Sequence, residues 1–343
     1  MIVVKVVDEF NLSEGPVIDV RSPGEYDADH IPGALNVPLL SNEHRHHVGV
    51  VYKMEGQEAA IALGHKLVDP LREQILENLA GQVTTNVIRV YCARGGLRSQ
   101  LMSKFFSENG YKVTMLFGGY KAYRQHAIST YQKFEHIVVL SGHTGSGKTE
   151  ILKELSVLGE QVLDLEALAE HRGSAFGALG QQSQPTSTQF HNRIYEVLRH
   201  MDAKRRLWVE SESITVGKVY IPEEFWRKMK QAPAIEIELP IEERVKHTLE
   251  IYGQYDLDDL SACIKQLRRR LGDQEMRLLC ALTEIGDLEP VVVQLLKYYD
   301  KGYELSKSKR ECQDIVKLPF AKLKPRKIAE FLKTYELKND KFA

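Results

Sequence analysis

The sequence predicts an α/β protein in two successive parts, a smaller N-terminal α/β domain and a doubly wound parallel sheet that continues into a helical C-terminal region. Three observations carry this prediction. Short apolar runs typical of buried strands alternate with helical patterns along residues 1–240. Two of the runs end on glycine-rich loops that open a helix. From about residue 240 onward the apolar residues recur at helical spacing.

Composition sets limits on the class of protein. The chain has 343 residues, which is enough for two domains, and its hydrophobic content of 43% and charged content of 27% are typical of soluble globular proteins. The net charge of −1 provides no overall positive field, so any contact with a nucleic acid must come from local basic clusters. No apolar run approaches the ~20 residues of a membrane helix, and we expect a cytoplasmic protein without a membrane partner.

Cysteine usage agrees with a reducing compartment. The four cysteines are far apart and show neither a paired motif nor the spacing of metal ligands. A disulfide framework and a structural zinc site are therefore not predicted. Cys263 and Cys280 lie among apolar helical residues and are expected to be structural, and the others are Cys92 and Cys312.

The most informative stretch of the N-terminal half is a loop that joins a strand to a helix. The apolar run 87–91 indicates a buried strand that ends directly on Cys92, and a helical pattern follows the loop. Backbone N–H groups at such a helix start favour anions, and the same field favours the thiolate, the nucleophilic form of cysteine. We predict Cys92 and Arg98 as catalytic residues of an anion-binding loop whose other members are Arg94, Gly95, Gly96 and Ser99.

Two further stretches resemble the signatures of the rhodanese family. The first is 17–38, where a strand ends in Asp19-Val-Arg21 before a Pro-Gly turn, and the second is Leu116-Phe-Gly-Gly-Tyr120. The resemblance covers residues 1–130 and implies that Asp19 and Arg21 are structural. Between the signatures, a stretch with three histidines opens a helical insert that runs to about Leu79. Its histidine and arginine donors suit phosphate, so we interpret the stretch as anion-facing rather than metal-binding.

The length of the cysteine loop points to the kind of anion. Five residues separate Cys92 from Arg98, and this spacing is similar to that of dual-specificity phosphatases and arsenate reductases. A wide loop suits a tetrahedral phosphorus anion, to which Arg98 can offer two parallel hydrogen bonds. The sequence therefore favours a substituted phosphate over thiosulfate as the donor.

A second anion site follows a boundary near residue 131. The strand 136–140 leads into a G-x-x-x-x-G-K-[ST] phosphate loop, and an amphipathic helix comes after it, as this motif requires. Lys148 supplies a positive charge, and Thr149 is placed to bind Mg²⁺. The predicted diphosphate-binding residues are Gly142, Gly145, Ser146, Gly147, Lys148 and Thr149.

Three more apolar runs, 161–165, 207–212 and 234–239, are predicted strands of the same parallel sheet. Either Asp164 or Glu210 can act as the strand-end acid that positions a metal. Arg172 can be a second phosphate ligand, or equally a solvated residue at a helix end. The sequence leaves both questions open.

Basic clusters mark the last quarter of the chain. An apolar stripe from Leu257 to Leu271 predicts one helix, which also carries an arginine triplet, and two more basic clusters follow at 307–310 and 322–327. Three clusters suggest a path along a phosphate backbone. The expected domains are 1–130, 131–240 and 241–343, the last packed on the phosphate-loop domain.

Taken together, the motifs resemble one family, the tRNA 2-selenouridine synthases. The resemblance rests on the loops Tyr91–Ser99 and Gly142–Thr149, and on Asp164-Leu-Glu166 with His171–Ser174. It implies replacement of sulfur by selenium in 2-thiouridine at the wobble position of the tRNA anticodon loop. It also implies selenophosphate and geranyl diphosphate as co-substrates, no tightly bound cofactor, and an enzyme that makes selenophosphate as a partner.

The resemblance gives each loop a role. Geranyl diphosphate would bind the phosphate loop, and the sulfur of the base would be geranylated; Cys92 would then carry selenium as a selenopersulfide while Arg98 holds phosphate. The expected tRNA contacts are Arg268, Arg269, Arg270, Lys322, Lys324, Arg326 and Lys327. Alternatives are a rhodanese-type sulfurtransferase or a phosphatase coupled to a P-loop NTPase, and an RNA-binding protein without activity.

Overall fold

A computed structural model describes residues 2–307 and 314–336 of the chain. They form two compact units, and each is described by itself below. The N-terminal unit comprises Met1–Ser129 together with His191–Glu196, and the C-terminal unit comprises Thr130–Phe190 and Val197–Ala343. Among the described residues, no helix has the length and apolar character that crossing a bilayer requires.

The N-terminal unit is built on a parallel sheet in the order β1-β5-β4-β2-β3. Its helices lie between the strands in sequence, and α3 to α5 form the insert predicted between the two signatures. The strands are β1 (Ile2–Lys5), β2 (Val17–Asp19), β3 (Leu35–Asn36), β4 (Val87–Tyr91) and β5 (Lys112–Leu116). The helices are α1 (Val7–Asn11), α2 (Pro23–Ala28), α3 (Asn42–Glu55), α4 (Gln57–Val68), α5 (Arg72–Gln82), α6 (Leu97–Glu108) and α7 (Gly119–Tyr131).

Asp19 and Arg21 have the structural role that the sequence predicted. The Arg21 guanidinium donates to both carboxylate oxygens of Asp19, at 2.7 Å for the shortest contact, and to the carbonyl of Asp29. Tyr91, the last residue of β4, donates its hydroxyl to the same carboxylate at 2.6 Å. All three side chains are almost fully buried, so this network ties the ends of β2 and β4 together just before the cysteine loop.

The C-terminal unit contains a second parallel sheet in the order β12-β11-β6-β8-β7, with helices on its faces. The predicted strands 136–140, 161–165, 207–212 and 234–239 are confirmed as neighbours in this sheet. Its strands are β6 (Ile137–Gly142), β7 (Gln161–Leu163), β8 (Leu207–Glu210), β11 (Ala234–Glu238) and β12 (Ile315–Pro319), and a hairpin is formed by β9 (Thr215–Val216) and β10 (Val219–Tyr220).

Ten helices of the described chain follow the first strand of this sheet. They include the helix after the phosphate loop, α8, and a group from α12 to α16 that follows β11. Their bounds are α8 (Lys148–Val157), α9 (Leu165–Ala169), α10 (Ser187–Leu198), α11 (Glu223–Gln231), α12 (Ile241–Tyr252), α13 (Leu257–Gln266), α14 (Arg268–Leu271), α15 (Asp273–Glu284), α16 (Leu288–Lys307) and α17 (Pro325–Thr334).

The region after residue 240 departs from the helical prediction in two places. The chain returns to the sheet as β12, which pairs with β11, because a run of only five residues gives too little periodicity to be recognised. The apolar stripe 257–271 does not form one helix: α13 ends at Gln266, and the arginine triplet lies on the separate short helix α14. Cys263 and Cys280 are buried, which confirms their structural assignment. Cys312 and residues 308–310 of a basic cluster lie outside the described residues.

Candidate active sites

The cysteine loop connects the end of β4 to the start of α6. Cys92 is 3% exposed, and its Sγ lies 3.2 Å from the Ser99 hydroxyl, which donates in turn to the Gly96 carbonyl at 3.0 Å. Ser99 is fully buried, so its hydroxyl has a fixed position in the first turn of α6. The same hydroxyl can donate to Cys92 once the thiol loses its proton. The predicted nucleophile and Ser99 are therefore in direct contact.

Two glycines, Gly95 and Gly119, allow the loop to approach the start of α7. Gly95 has φ +65°, and a Cβ there would lie 2.7 Å from the Gly118 nitrogen. A Cβ at Gly119 would overlap the Cys92 carbonyl, which accepts a hydrogen bond from the Tyr120 nitrogen at 2.8 Å. The second signature of the sequence thus packs on the back of the cysteine loop and fixes its curvature.

Arg98 is held by a carboxylate from the first signature. Its two terminal nitrogens donate to the two oxygens of Glu25 at 2.7 and 3.2 Å. Burial raises the pKa of Glu25, but the hydrogen bond and charge of Arg98 outweigh it, and the pKa is about 2. Glu25 also accepts from the Ser22 nitrogen at the start of α2. This pairing leaves the remaining N–H groups of Arg98 for an anion.

The phosphate loop lies between β6 and α8, in the position that the motif predicts. Gly142, Gly145 and Gly147 all have positive φ, and each is in close contact with other parts of the unit. A Cβ at Gly145 would lie 2.7 Å from the Thr248 hydroxyl, and one at Gly147 would lie 2.5 Å from Leu323. The loop is therefore shaped by close packing as well as by its own sequence.

The charged side chains of the loop point toward the end of β8. Lys148 donates to the Gly142 carbonyl at 3.2 Å, and its Nζ lies 3.6 Å from Glu210. The Thr149 hydroxyl is 3.5 Å from Glu166. The Ser146 hydroxyl is buried and has no hydrogen-bond partner within the described ranges, as expected for a group that awaits a phosphate oxygen.

Three carboxylates meet beside Thr149. Oxygens of Glu166, Glu210 and Glu212 all lie within 4.8 Å of one another. Burial, followed by mutual repulsion, raises the pKa of Glu166 to about 10 and that of Glu212 to about 8, and burial also raises the pKa of Glu210. One oxygen of Glu210 is buried without a partner among the residues described. These hard oxygen donors fit a divalent cation such as Mg²⁺, which the three glutamates and Thr149 would hold.

A tight turn covers the carboxylates. Gly173 has φ +65°, and a Cβ there would lie 2.9 Å from Glu166 and 3.1 Å from Glu212. Arg172, the neighbouring residue, donates to the Tyr255 hydroxyl at 3.4 Å. Asp164 does not join the cluster through hydrogen bonds, because its side chain accepts from the Ala167 nitrogen and caps α9. Of the two acids left open by the sequence, Glu210 is the one in the cluster.

An apolar cavity begins at the phosphate loop. Its volume is about 60 Å³, which is room for roughly four to six water molecules. Thr144 of the loop, Ser174 of the covering turn and the nearby Phe176 lie at its wall, and most of the other lining residues come from helices α12, α13, α15 and α16. Representative apolar lining residues are Phe176, Leu249, Leu260, Ile264, Val291 and Leu295.

The seven predicted basic contacts are all exposed, and they fall into two places. Arg268 pairs with Asp273, and Arg270 reaches the Tyr298 hydroxyl at 3.4 Å, both on the helical side of the unit. Arg269 is the third residue of this group. The other group flanks Leu323, whose side chain lies on Gly147, and this packing puts the segment of Lys322, Lys324, Arg326 and Lys327 next to the phosphate loop.

Sequence reasoning missed three functional candidates, namely Glu25, Glu166 and Glu212. A signal existed for one of them, because Glu210 and Glu212 are two apart at the end of a strand and therefore share a face. Glu166 carried no such signal, because it lies on helix α9, where residues two apart do not share a face. Nothing in the sequence links Glu25 to Arg98, which lies 73 residues later.

Family models of known proteins match the two parts of the chain that carry these loops. The family model "tRNA 2-selenouridine synthase AAA domain" matches residues 135–337, and the model of the rhodanese-like domain matches residues 5–126. A protein named tRNA 2-selenouridine synthase from a Sulfurovum species is 34% identical over 329 residues, which is 85% of this chain and 89% of that protein.

Two more proteins with the same name show similar agreement. The one from Shewanella sediminis is 35% identical over 345 residues and covers 90% of this chain and 92% of its own length. The one from Hahella chejuensis is 37% identical over 274 residues, 77% of this chain and 69% of that protein. Since the matches include both glycine-rich loops and run along most of the sequence, the chain belongs to the tRNA 2-selenouridine synthase family.

Proposed function

We propose that the protein replaces the sulfur of wobble-position 2-thiouridine in tRNA with selenium in two steps. The phosphate-loop site S-geranylates the base from geranyl diphosphate, and the Cys92 site supplies selenium from selenophosphate to displace the geranylated sulfur. The observation that carries the first step is the apolar cavity that begins at Thr144 of the phosphate loop.

The cavity distinguishes an alkyl diphosphate from a nucleotide. A nucleoside bound to a phosphate loop needs polar partners for its base and ribose, whereas an allylic chain needs apolar walls. The lining is almost wholly aliphatic and aromatic, and its few hydroxyls include that of Thr144 in the phosphate loop and that of Thr248, which packs on Gly145 of the same loop. A ten-carbon chain exceeds the present volume of about 60 Å³, so binding must widen the cavity. These features favour geranyl diphosphate over ATP at this site.

The residues around the phosphate loop can stabilise a diphosphate leaving group. The sulfur of 2-thiouridine attacks the allylic carbon, the carbon–oxygen bond breaks, and the electron pair leaves with diphosphate while the base loses its N3 proton. Lys148, the loop amides and the Ser146 hydroxyl, which is buried without a partner among the described residues, would stabilise the developing charge. A divalent cation held by Thr149 and the three glutamates would supply further charge neutralisation.

Electron balance decides how Cys92 is used. The selenium of selenophosphate is already at the level of selenide, so a selenopersulfide that forms while phosphate departs would require an oxidant. Attack of the Cys92 thiolate on phosphorus balances without one: the phosphorus–selenium bond breaks, hydroselenide leaves with the electron pair, and water later releases phosphate from the cysteine. We favour this route over the selenopersulfide.

The loop geometry suits this substitution. In this proposal the amides of residues 93–96 and the remaining N–H groups of Arg98 would donate to the phosphate oxygens. The proton of hydroselenide is the one that selenophosphate itself carries at neutral pH, and hydroselenide is a weakly basic leaving group, so the step needs no further general acid. Released selenide then attacks C2 of the base, the carbon–sulfur bond breaks, and geranylthiolate departs. The exposed basic residues beside Leu323 and on α14 would bind the tRNA.

The direct test incubates an anticodon stem-loop that contains 2-thiouridine with geranyl diphosphate, with selenophosphate, or with both, and analyses the nucleosides by mass spectrometry. We expect S-geranyl-2-thiouridine with the first co-substrate alone and 2-selenouridine only with both. Selenouridine formed at full rate without geranyl diphosphate would refute the two-step route. Hydrolysis of ATP that does not require the 2-thiouridine RNA, with no geranylation, would instead favour a P-loop NTPase.

A further inference from the structure

The N-terminal unit contains another pocket, which is larger than the apolar cavity and lies next to the cysteine loop. Its volume is about 530 Å³, and it is enclosed by the insert helices α3 and α4 on one side and by α6 on the other. We call it the insert pocket. It is lined mainly by apolar side chains, among them Val48, Tyr52, Ile61, Leu97, Leu101 and Phe105.

The insert pocket is adjacent to the proposed selenation chemistry. Leu97 and Arg98, the first two residues of α6, line the pocket, and the loop that carries Cys92 ends at the residue before them. Leu97 is 44% exposed and Tyr52 is 57% exposed, so large apolar groups remain in contact with solvent here. Contiguous apolar surface of this kind usually marks a binding site. The volume is in the range of pockets that bind small molecules, about 300–1,000 Å³.

We propose that the insert pocket binds the geranyl chain of the S-geranylated base while selenide attacks C2. This inference rests on the two-step function proposed above, because that route delivers a base with a ten-carbon chain to the Cys92 loop. In the step itself, the carbon–selenium bond forms, the carbon–sulfur bond breaks, and geranylthiolate leaves with the electron pair. The pocket would then hold the leaving group.

The chemistry of the pocket matches both ends of this ligand. Its apolar walls suit the chain, while its polar members include the cations Arg98, Arg72 and Lys104. Arg72 and Lys104 are more than half exposed and can pair with RNA phosphates on either side of the base. An apolar pocket with basic residues at its lining is the complement of an alkylated nucleotide in an RNA loop.

Gly64 on α4 provides a clean test of the pocket. It lines the pocket, its backbone is helical, and a Cβ built there meets no atom within 4 Å. Gly64→Leu therefore adds an apolar side chain to the pocket wall at a position where the Cβ is free of contacts, and it replaces a poor helix former by a good one. Gly81→Leu is the matched control, since Gly81 lies on α5, has open space around it and does not line the pocket.

The experiment uses full-length protein, selenophosphate and synthetic anticodon stem-loops that carry either S-geranyl- or S-methyl-2-thiouridine. For the wild type we expect kcat/KM to be about tenfold or more higher with the geranyl RNA, because the chain is buried. Gly64→Leu should lose this preference through a higher KM for the geranyl RNA alone, and Gly81→Leu should keep it.

Equal activity of the wild type on both RNAs, or an unchanged preference in Gly64→Leu, would overturn the proposal. A change in the mass of the assembly in Gly64→Leu would also overturn it, since it would mean that a second copy of the chain occupies the pocket. Because the RNAs are alkylated in advance, these results are independent of whether the protein itself geranylates. Failure of the proposed function would appear separately, as no geranylation of 2-thiouridine RNA.

Discussion

Arg98 and Glu25, which are 73 residues apart in the sequence, form an ion pair with two hydrogen bonds, at nitrogen–oxygen distances of 2.7 and 3.2 Å. The arginine of the cysteine loop is thereby oriented by a carboxylate from the first signature. Glu25 is in turn held by the start of α2. The position of the loop arginine is therefore set before an anion binds, which is a condition for efficient charge stabilisation.

Glu25→Gln should impair selenation and leave geranylation intact. Glutamine keeps the helix-capping role of this position but lacks the charge that orients Arg98, so we expect kcat/KM for selenophosphate to fall by roughly tenfold to a hundredfold. Steady-state rates with each co-substrate measure this. Glu43→Gln, a change of the same type in the first turn of α3, is the control and should have no effect. Equal losses in both steps would argue against an orienting role.

The pair of Arg98 and Glu25 also predicts that the free energy of unfolding depends on pH in the acid range. The folded pKa of Glu25, about 2, is below its ordinary value of 4.5, so its ionised form stabilises the fold above pH 4.5 and this contribution is lost as the pH falls toward 2. The Glu25 side chain is 20% exposed, and we expect its ionised form to contribute roughly 2–3 kcal/mol to the free energy of unfolding. Denaturant unfolding should show Glu25→Gln less stable than the wild type near neutral pH and equally stable near pH 2. A constant difference across that range would contradict the assignment.

Gly173→Ala should weaken the geranylation site. The new methyl group would lie 2.9 Å from Glu166 and 3.1 Å from Glu212, so the turn must move away from the carboxylates. We expect geranylation to fall by roughly tenfold or more, together with weaker stabilisation of the protein by Mg²⁺ in thermal unfolding. Gly272→Ala likewise places an alanine at positive φ, here +87°, but its methyl group meets no atom within 4 Å. Gly272→Ala should behave as the wild type in both assays. If it also loses activity, backbone strain alone explains the loss in Gly173→Ala.

The two loops were predictable from sequence because their chemistry is local. In each, a strand, a glycine-rich turn and a helix follow within a few residues, and the structure shows both where the pattern placed them. The pairing of Glu25 with Arg98 and the packing of Gly173 on Glu166 were not predictable, since they join segments that only the fold brings together. Asp164 shows that an acid at a strand end is ambiguous: it suits the positioning of a metal, but it also suits the helix cap that it forms.

The C-terminal region shows a further limit of periodicity. The helical pattern correctly predicted the longer helices α12, α13, α15 and α16, where apolar residues repeat over several turns. It failed at Leu267, where the helix breaks, and at β12, whose five residues return to the sheet beside β11. Strand pairing is a long-range contact, and a short run does not reveal its partner.

Leu295→Ala should change the chain length that the geranylation site accepts. Leu295 is buried in the wall of the apolar cavity, and removing its side chain leaves room for a longer substrate. We expect the ratio of kcat/KM for farnesyl over geranyl diphosphate to rise about tenfold. Leu332→Ala removes an equally buried leucine from the core of the same unit, away from the cavity. Both variants should lose stability, typically about 2–5 kcal/mol, but only the first should change the preference.

We assign the two steps to two loops, and one paired measurement tests this assignment most directly. Cys92→Ala and Lys148→Ala are each incubated with 2-thiouridine stem-loop RNA and both co-substrates, and the nucleosides are quantified. We predict that Cys92→Ala accumulates S-geranyl-2-thiouridine without 2-selenouridine, and that Lys148→Ala forms little of either but converts S-geranylated RNA normally. Normal selenouridine formation by Cys92→Ala, or unchanged geranylation by Lys148→Ala, would contradict the assignment.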